Sequence, residues 1–433
     1  MDYLKAIEKI HEFGKFGSIL GLERMTVLMD LLGNPQEKLK VIHVAGTNGK
    51  GSVCRYLYSI LQEGGYRVGL YTSPYIENFT ERIEFNGKEI SPDDLSKYTE
   101  IVLSKVQEMI ALGNESPTEF EVITAIGFCY FADANADFLV LEVGLGGIGD
   151  STNIIKHPIL SIITSISFDH MEYLGNTLVE IATEKAGIIK EGIPIIANIE
   201  DFDSLEMVRK LARAKHSPFY STSDIKVSNI KKNITKYIFD VEVLGKSFKN
   251  IELSMIGMHQ IQNAICALAG IELLLSNKTI FLGEEQVYNG FRKAIQAGRL
   301  EIIGEKPYFI IDGAHNEAGA KALEAVIKEH FKNKKILLVI GMLKDKKINA
   351  ILEALIPLVD CVIASEPDNP RKLDSSLLAK EIEKYGKKVI EISDILEAVE
   401  YCNKVKDEYD LILCAGSLYL IGKVRGRIKN ESK

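Results

Sequence analysis

The sequence lacks the features of a long disordered or membrane-embedded chain. It has no glycine/serine tract, no proline-rich run and no block of like charges, so we expect nearly all of it to fold. No apolar run reaches the roughly 18 to 20 residues that a membrane helix needs. The opening MDYLKAIEKIHEF has the spacing of an amphipathic helix instead of a secretion signal. These absences predict a cytoplasmic protein without a membrane partner.

Cysteine is also scarce, and positive charge is in deficit. The six cysteines are scattered and form no Cys-x-x-Cys pair, so we expect core thiols. The net charge of -8 disfavours a nucleic-acid partner, because such binding requires clustered Lys and Arg to neutralise phosphates. A local basic pocket for a small anionic substrate remains compatible with this acidic balance.

The order of apolar runs predicts an α/β fold in two domains, which also fits the length of 433 residues. We assign residues 1–296 to a nucleotide-binding domain with a β-rich elaboration at about 217–256. Residues 297–433 form a smaller Rossmann-like C-terminal domain. The predicted strands are 41–45, 67–71, 138–143, 159–166 and 193–197 in the first domain, and 308–311, 336–340, 361–364, 389–392 and 411–415 in the second.

The strongest local signal is a glycine-rich turn between a predicted strand and a predicted helix. Glycines let backbone N–H groups surround phosphates, the helix N-terminus favours anions, and a lysine neutralises the β and γ phosphates. The spacing departs from the general Walker A pattern, and a turn that merely joins strand to helix is the alternative. The predicted ATP-binding residues here are Gly46, Thr47, Asn48, Gly49, Lys50, Gly51 and Ser52.

A second group of polar residues follows other predicted strands. Glu142 ends one strand, His170 follows the next, and Ser73 comes shortly after the strand that ends at residue 71. Because strand carboxyl ends line the ligand crevice of a parallel sheet, these side chains could hold magnesium on nucleotide phosphates. A helix cap or surface charge is the alternative for Glu142. Taken alone, Lys185 resembles an ordinary helix-surface lysine.

The second domain carries a third group around its first predicted strand. Arg299 precedes that strand, and Asp312 and His315 follow it in Asp-Gly-Ala-His-Asn. Asp312 could orient a ribose or Arg299, and His315 could face the reaction centre. A strand-to-helix turn with an Asp or Asn cap is the alternative interpretation.

Taken together, these stretches resemble the folylpolyglutamate synthase and dihydrofolate synthase branch of the Mur ligase family. The match is ordered along almost the whole chain, which makes it far more specific than any single motif. The matching stretches are 21–24, 45–52, 72–74, 81–83, 142–153, 169–170, 174–175, 184–190, 257–260, 263–264, 298–301, 312–316, 345–346 and 416–420.

The resemblance implies an ATP-dependent ligase that adds L-glutamate to a folate through an acyl phosphate, and that also acts on dihydropteroate. It implies one magnesium on Ser73 and Glu142 and a second on Glu142 and His170, with Lys185 carbamylated. Lys50, Lys185 and His315 would be catalytic. The chain would be a monomer. Asn263, Arg299 and Asp312 would complete the ATP site, and the folate-binding residues would be Leu22, Glu23, Arg24, Thr118, Glu119, Phe120, Glu121, Gly149, Asp150 and Ser151.

The chain departs from the usual family pattern near the predicted folate-binding segments. Ile148 stands where an arginine is usual, Tyr75 where a histidine is frequent, and Glu119 where an aromatic is common. Two other functions remain open at this point. One is a Mur ligase of cell-wall synthesis, and the other is a non-catalytic ATP-binding protein that retains the fold.

Overall fold

The computed structural model describes residues 1–17, 19–344 and 348–431. The family-like Asp345-Lys346 stretch lies outside these described residues. Two compact units are present. The first comprises 1–230, 239–252 and 261–294, and the second comprises 231–238, 253–260 and 295–433. Among the described residues, no helix combines the length and apolarity that crossing a bilayer would require.

An eight-stranded sheet organises the first unit. Its strands are β1 (Val41–Ala45), β2 (Val68–Tyr71), β3 (Ile83–Phe85), β4 (Lys88–Glu89), β5 (Phe138–Glu142), β6 (Leu160–Ile163), β7 (Ile195–Ala197) and β8 (Phe219–Ser221). Their spatial order is β4-β3-β2-β5-β1-β6-β7-β8. Six neighbouring strands run parallel to one another, namely β2, β5, β1, β6, β7 and β8. The central strands β1, β5 and β6 are entirely buried, as expected for parallel strands covered on both faces.

Among the described residues, ten α-helices belong wholly or mainly to this unit. They are α1 (Tyr3–His11), α2 (Glu23–Leu31), α3 (Lys50–Glu63), α4 (Pro92–Ala111), α5 (Glu119–Asp133), α6 (Met171–Leu174), α7 (Leu178–Lys185), α8 (Phe202–Ala214), α9 (Met258–Ser276) and α10 (Glu284–Lys293). Local chemistry fixes their starts. Thr118 caps α5 in a capping box with Glu121, and Ser91 caps α4 with Pro92 in its first turn.

The strand-rich segment contains a separate antiparallel sheet of β9 (Val227–Lys232), β10 (Tyr237–Val243) and β11 (Lys246–Leu253), in the order β11-β10-β9. The alternation of buried and exposed residues along β10 and β11 is typical of strands with one solvated face. β8 instead extends the large sheet, so the antiparallel sheet begins only at Val227.

The second unit is built on a six-stranded sheet of order β12-β13-β17-β14-β15-β16. Its strands are β12 (Glu301–Glu305), β13 (Tyr308–Ile311), β14 (Ile336–Ile340), β15 (Cys361–Ala364), β16 (Lys388–Glu391) and β17 (Leu411–Ala415). All are parallel to their neighbours except β12. The helices are α11 (Glu317–His330), α12 (Ile348–Leu355), α13 (Ser375–Glu383), α14 (Ile395–Val405) and α15 (Leu418–Glu431).

The predicted α/β architecture is confirmed, and all ten predicted strands are present. Outside the β-rich segment, the strands that the sequence did not predict are β3, β4 and β12, which are antiparallel additions at sheet edges. β3 and β4 span only three and two residues, and a register shift between Ile302 and Gly304 interrupts β12. Such segments carry little periodic signal. All six cysteines are free and buried, which confirms the prediction of core thiols.

Candidate active site

The polar residues predicted in the first unit converge on one edge of its sheet. Strands β2, β5, β1 and β6 are adjacent and parallel, so their carboxyl ends lie side by side. Ser73 follows β2, Glu142 ends β5, the glycine-rich loop follows β1, and His170 comes after β6. Four consecutive strands therefore deliver one polar group each to the same edge.

The glycine-rich loop has the backbone that a phosphate-binding turn requires. Gly46 has φ 149° and Gly49 has φ 86°, values that favour glycine over residues with a Cβ. Space is equally restrictive. A Cβ on Gly46 would lie 1.7 Å from Oγ1 of Thr164, and one on Gly49 would lie 2.3 Å from Oδ1 of Asn263. Asn263, predicted to bind ATP, thus lies directly against the loop.

A segment after β6, residues 164–167, holds the loop in place. The amide of Thr47 donates to the Ser165 carbonyl at 2.7 Å, and the Thr47 hydroxyl donates to the Ser167 carbonyl at 3.1 Å. Thr164 donates its hydroxyl proton to the Asn48 carbonyl at 2.7 Å. Sequence analysis missed this segment. Its signal was a run of hydroxyl residues directly after the strand that neighbours β1.

Two lysines point at one carbonyl of this loop. Nζ of Lys50 donates to the Gly46 carbonyl at 3.1 Å and to the Thr47 carbonyl at 3.2 Å. Nζ of Lys185 donates to the same Gly46 carbonyl at 3.0 Å. Lys185 is buried, with 4% of its surface exposed, so it is not the helix-surface lysine that its local sequence suggests. Burial, followed by the neighbouring Lys50 charge, lowers the pKa of Lys185 to about 7.

The predicted magnesium ligands fit a site that is shared with a nucleotide. Glu142 is buried, and its Oε2 accepts the Ser73 amide at 3.2 Å, which places the serine beside the carboxylate. His170 begins α6 with φ 48° and a partly exposed ring. Among the described residues, no three His, Cys, Asp or Glu side chains form a metal cluster. Magnesium does not require one, because it commonly uses one or two carboxylates together with substrate phosphates.

The three predicted folate-binding segments lie together. Arg24 donates from Nε to Oε2 of Glu121 at 3.1 Å, and both side chains are buried. The Gly21 amide, next to Leu22, donates to the Gly149 carbonyl at 2.9 Å. Glu23 folds back over Gly21, since a Cβ there would lie 2.7 Å from its Oε2. Segments far apart in sequence are therefore joined by direct bonds.

The N-terminal turn of α5 completes this arrangement. Thr124 lies 3.2 Å from Ser151, hydroxyl to hydroxyl, and also donates to the Phe120 carbonyl at 2.7 Å. The Phe120 ring covers Gly144, where a Cβ would lie 2.4 Å from its Cζ. Asp150 is almost fully buried and bonds within the protein. Its carboxylate therefore organises the loop around it.

The positions that depart from the family pattern have defined surroundings. Ile148 is half exposed, and its amide donates to the Glu184 carbonyl at 3.0 Å. The Tyr75 ring lies under the Arg82 guanidinium, 5.1 Å from the ring centre. Glu119 is 3.2 Å from Nδ1 of His11. Tyr75 and Glu119 thus place different side chains in defined contacts, whereas the contact of Ile148 is a backbone hydrogen bond.

The predicted residues of the second unit meet at the end of β13. Buried Asp312 accepts the Leu300 and Ala314 amides, each at 2.8 Å. Burial raises the pKa of Asp312, and the Arg299 charge opposes that rise. Arg299 lies near Gly313, where a Cβ would be 3.3 Å from its Nη1. Nδ1 of His315 is 2.7 Å from the Gly313 carbonyl, which fixes its ring at this turn.

Comparison with known proteins agrees with this geometry. Residues 44–271 match the Mur ligase middle domain, and residues 298–418 match the Mur ligase glutamate ligase domain. The chain is 39% identical over 429 residues to dihydrofolate synthase/folylpolyglutamate synthase of Bacillus subtilis, covering 99% of both chains. It is 33% identical over 431 residues to folylpolyglutamate synthase of Lacticaseibacillus casei, covering 98% of both chains.

A solved structure extends the likeness to three dimensions. Folylpolyglutamate synthase of Mycobacterium tuberculosis, complexed with ADP and AMPPCP, superposes with a TM-score of 0.90 at 31% identity, covering 99% of both chains. The relatives and this structure thus match the chain over nearly its full length. The chain therefore belongs to the folylpolyglutamate synthase and dihydrofolate synthase branch of the Mur ligase family.

Proposed function

We propose that this protein ligates L-glutamate to a folate at the expense of ATP, through an acyl phosphate, and that dihydropteroate is a second acceptor. One observation carries the proposal. The loop 143–151 starts beside Glu142 at the phosphate-loop edge and ends at Gly149 and Ser151, among the predicted folate-binding residues. A single short loop thus joins the proposed site of phosphate transfer to the proposed acceptor site.

In the first step, a folate carboxylate oxygen attacks the γ-phosphorus of ATP, and ADP leaves. The glycine-rich loop supplies N–H donors to the phosphates, and Lys50 moves from its loop carbonyls to neutralise them. Asn263 braces the loop at Gly49. Most of the catalytic effect then comes from positioning and from charge stabilisation.

Ser73, Glu142 and His170 would hold magnesium at this edge, where the ion would offset the charge that develops on the phosphates. Lys185 fits the role of a carbamylated residue. An ammonium repels a metal, whereas the adduct of a neutral amine with carbon dioxide is an anion. The lowered pKa of about 7 makes the neutral amine abundant at neutral pH, and adduct formation releases one proton.

In the second step, the amine of glutamate attacks the acyl carbon, inorganic phosphate leaves, and the amine loses a proton. We assign Arg299 and Asp312 to nucleotide binding and His315 to stabilising charge during transfer. The turn at the end of β13 supports this assignment, because the Asp312 carboxylate binds the Leu300 amide next to Arg299 and the His315 ring is held at the Gly313 carbonyl. We further infer a monomeric cytoplasmic enzyme.

Phosphate release from ATP tests the proposal. The assay contains magnesium and glutamate, with tetrahydrofolate, dihydropteroate or a UDP-sugar peptide as acceptor, and Lys50→Ala as the inactive control. We expect turnover with both pteridine acceptors. Turnover with tetrahydrofolate alone would remove the second activity, and turnover only with the UDP-sugar peptide would indicate cell-wall synthesis. Silence with all three acceptors would contradict the proposal and favour a non-catalytic ATP-binding protein.

A further inference from the structure

A buried histidine lies in the central strand, away from every role assigned above. His43 is in the middle of β1 and is fully buried. Its Nε2 lies 2.9 Å from Oγ1 of Thr152. Its Nδ1 has no hydrogen-bond partner among the residues that the structure describes. The neighbouring positions in β1 are aliphatic, and a valine or isoleucine here would avoid an unsatisfied buried nitrogen. The imidazole therefore lowers the stability of the fold, and we expect the hydrogen bond of its Nε2 to have a function.

The surrounding bonds define which atom donates. Oγ1 of Thr152 is 2.5 Å from Oδ1 of Asp150, and the Thr152 amide donates to the same oxygen at 3.0 Å. Burial raises the pKa of Asp150, but both of its carboxylate oxygens accept backbone amides, which favours the ionised form. An ionised carboxylate only accepts, so the single hydroxyl proton goes to Asp150. The hydroxyl oxygen then accepts from Nε2–H of His43. Burial lowers the pKa of His43 to about 3, which keeps the ring neutral and leaves one proton for Nε2.

This chain of bonds ends in the loop that links the two halves of the proposed site. Oδ2 of Asp150 accepts the Leu145 amide at 2.8 Å. At the far end of the loop, the Gly149 carbonyl accepts the Gly21 amide, beside the predicted folate-binding residues. Along this chain, His43 donates to Thr152 and Thr152 donates to Asp150. A reversed or broken chain would free the hydroxyl to rotate away from the carboxylate.

We propose that His43 is a positioning residue for the folate acceptor, because its Nε2–H fixes the hydroxyl of Thr152 and thereby the loop 143–151. The inference rests on the proposed function. It requires no contact between His43 and any substrate. It predicts a selective effect on the acceptor, since the glycine-rich loop is held separately by residues 164–167.

The test compares His43→Leu, His43→Gln, Thr152→Val, Thr152→Ser and the double variant His43→Leu/Thr152→Val. Losing one hydrogen bond from the chain should raise the KM for the folate about tenfold in His43→Leu and in Thr152→Val, with kcat and the KM for ATP within about twofold. The double variant should be no worse than either single one. Thr152→Ser retains the hydroxyl, and His43→Gln retains an N–H donor, so both should approach the wild type.

Hydrogen exchange of the peptide containing residues 144–153 supplies a readout that needs no activity. We expect faster exchange in His43→Leu and Thr152→Val, and wild-type exchange in Thr152→Ser. Unchanged exchange, additive effects in the double variant, or equal increases in both KM values would overturn the positioning role. If His43→Leu fails to fold, the comparison of Thr152→Val with Thr152→Ser still tests the positioning role. A wild-type protein silent with every folate would sink the proposed function and, with it, the role of His43 toward the acceptor; wild-type activity with unchanged exchange in the variants would sink the role of His43 alone.

Discussion

Replacing Lys185 by methionine should change how stability depends on pH, because this lysine is buried beside another cation. Its pKa falls from 10.5 to about 7 on folding. Between these two values the unfolded chain binds a proton that the folded chain does not, so wild-type stability rises with pH. The slope from this group is about 1.4 kcal/mol per pH unit. The whole effect amounts to roughly 4 to 5 kcal/mol.

The Lys185→Met variant has no such group and should lack this slope. Below about pH 7 the folded wild type carries the full cost of a buried ammonium, so the variant should be the more stable protein. The lost bond to the Gly46 carbonyl subtracts about 1 kcal/mol, which leaves a net gain of roughly 3 to 4 kcal/mol at pH 6. The gain should shrink steadily as the pH rises from 7 to 10.

Urea unfolding of both proteins at several pH values between 6 and 10, in carbonate-free buffer, measures the difference. Two compact units need not unfold together, so the probe should be an amide or label in residues 1–230. Lys210→Met, on the exposed side of α8, is the matched control and should give a flat difference. A flat difference for Lys185→Met as well would refute the argument. Added bicarbonate should stabilise only the wild type if Lys185 is carbamylated.

Three further substitutions test other parts of the site. Gly144→Ala would place a Cβ 2.4 Å from Cζ of Phe120 and should lower thermal stability. The double variant Gly144→Ala/Phe120→Ala removes the ring that this Cβ meets, so the alanine at 144 should cost less stability there than in the wild-type background. Glu142→Gln keeps a hydrogen-bond acceptor for the Ser73 amide but removes the carboxylate charge, so turnover should fall about a hundredfold or more. Turnover equal to that of the wild type throughout a magnesium titration would contradict this role. Arg24→Met leaves the buried Glu121 carboxylate without its cation and should lower the unfolding free energy by roughly 3 kcal/mol. The double variant Arg24→Met/Glu121→Gln should recover part of that loss in thermal unfolding. A double variant whose stability loss equals the sum of the two single losses would contradict the pairing.

Much of the parallel framework was predictable because buried strands and amphipathic helices leave a periodic signal. The strand 41–45 was predicted with its correct bounds, and a helix follows the glycine-rich turn as expected. Several polar residues were predictable by position alone, since Glu142 ends a strand and the sheet order then brings Ser73 beside it. The resemblance to a known family supplied the remaining residue roles. Those roles stay predictions for assay.

What sequence reasoning could not supply was burial and pairing. Lys185 has the local pattern of a surface helix, and only the tertiary fold places its amine against the Gly46 carbonyl. The contact between Arg24 and Glu121 joins residues 97 positions apart, a separation at which no periodicity is informative. His43 sits in an otherwise aliphatic strand, and its partner Thr152 lies 109 positions away. Such contacts depend on the order of strands in the sheet.

The buried cysteines allow the unfolding of each unit to be followed by thiol labelling. Three of them, Cys54, Cys129 and Cys266, lie in the first unit, and Cys361, Cys402 and Cys414 lie in the second. Burial also raises the pKa of the thiols of Cys54, Cys129, Cys266, Cys402 and Cys414, so alkylating reagents should react slowly with the native fold. Mass spectrometry of which thiols become labelled would then report, without any engineered probe, which unit opens first.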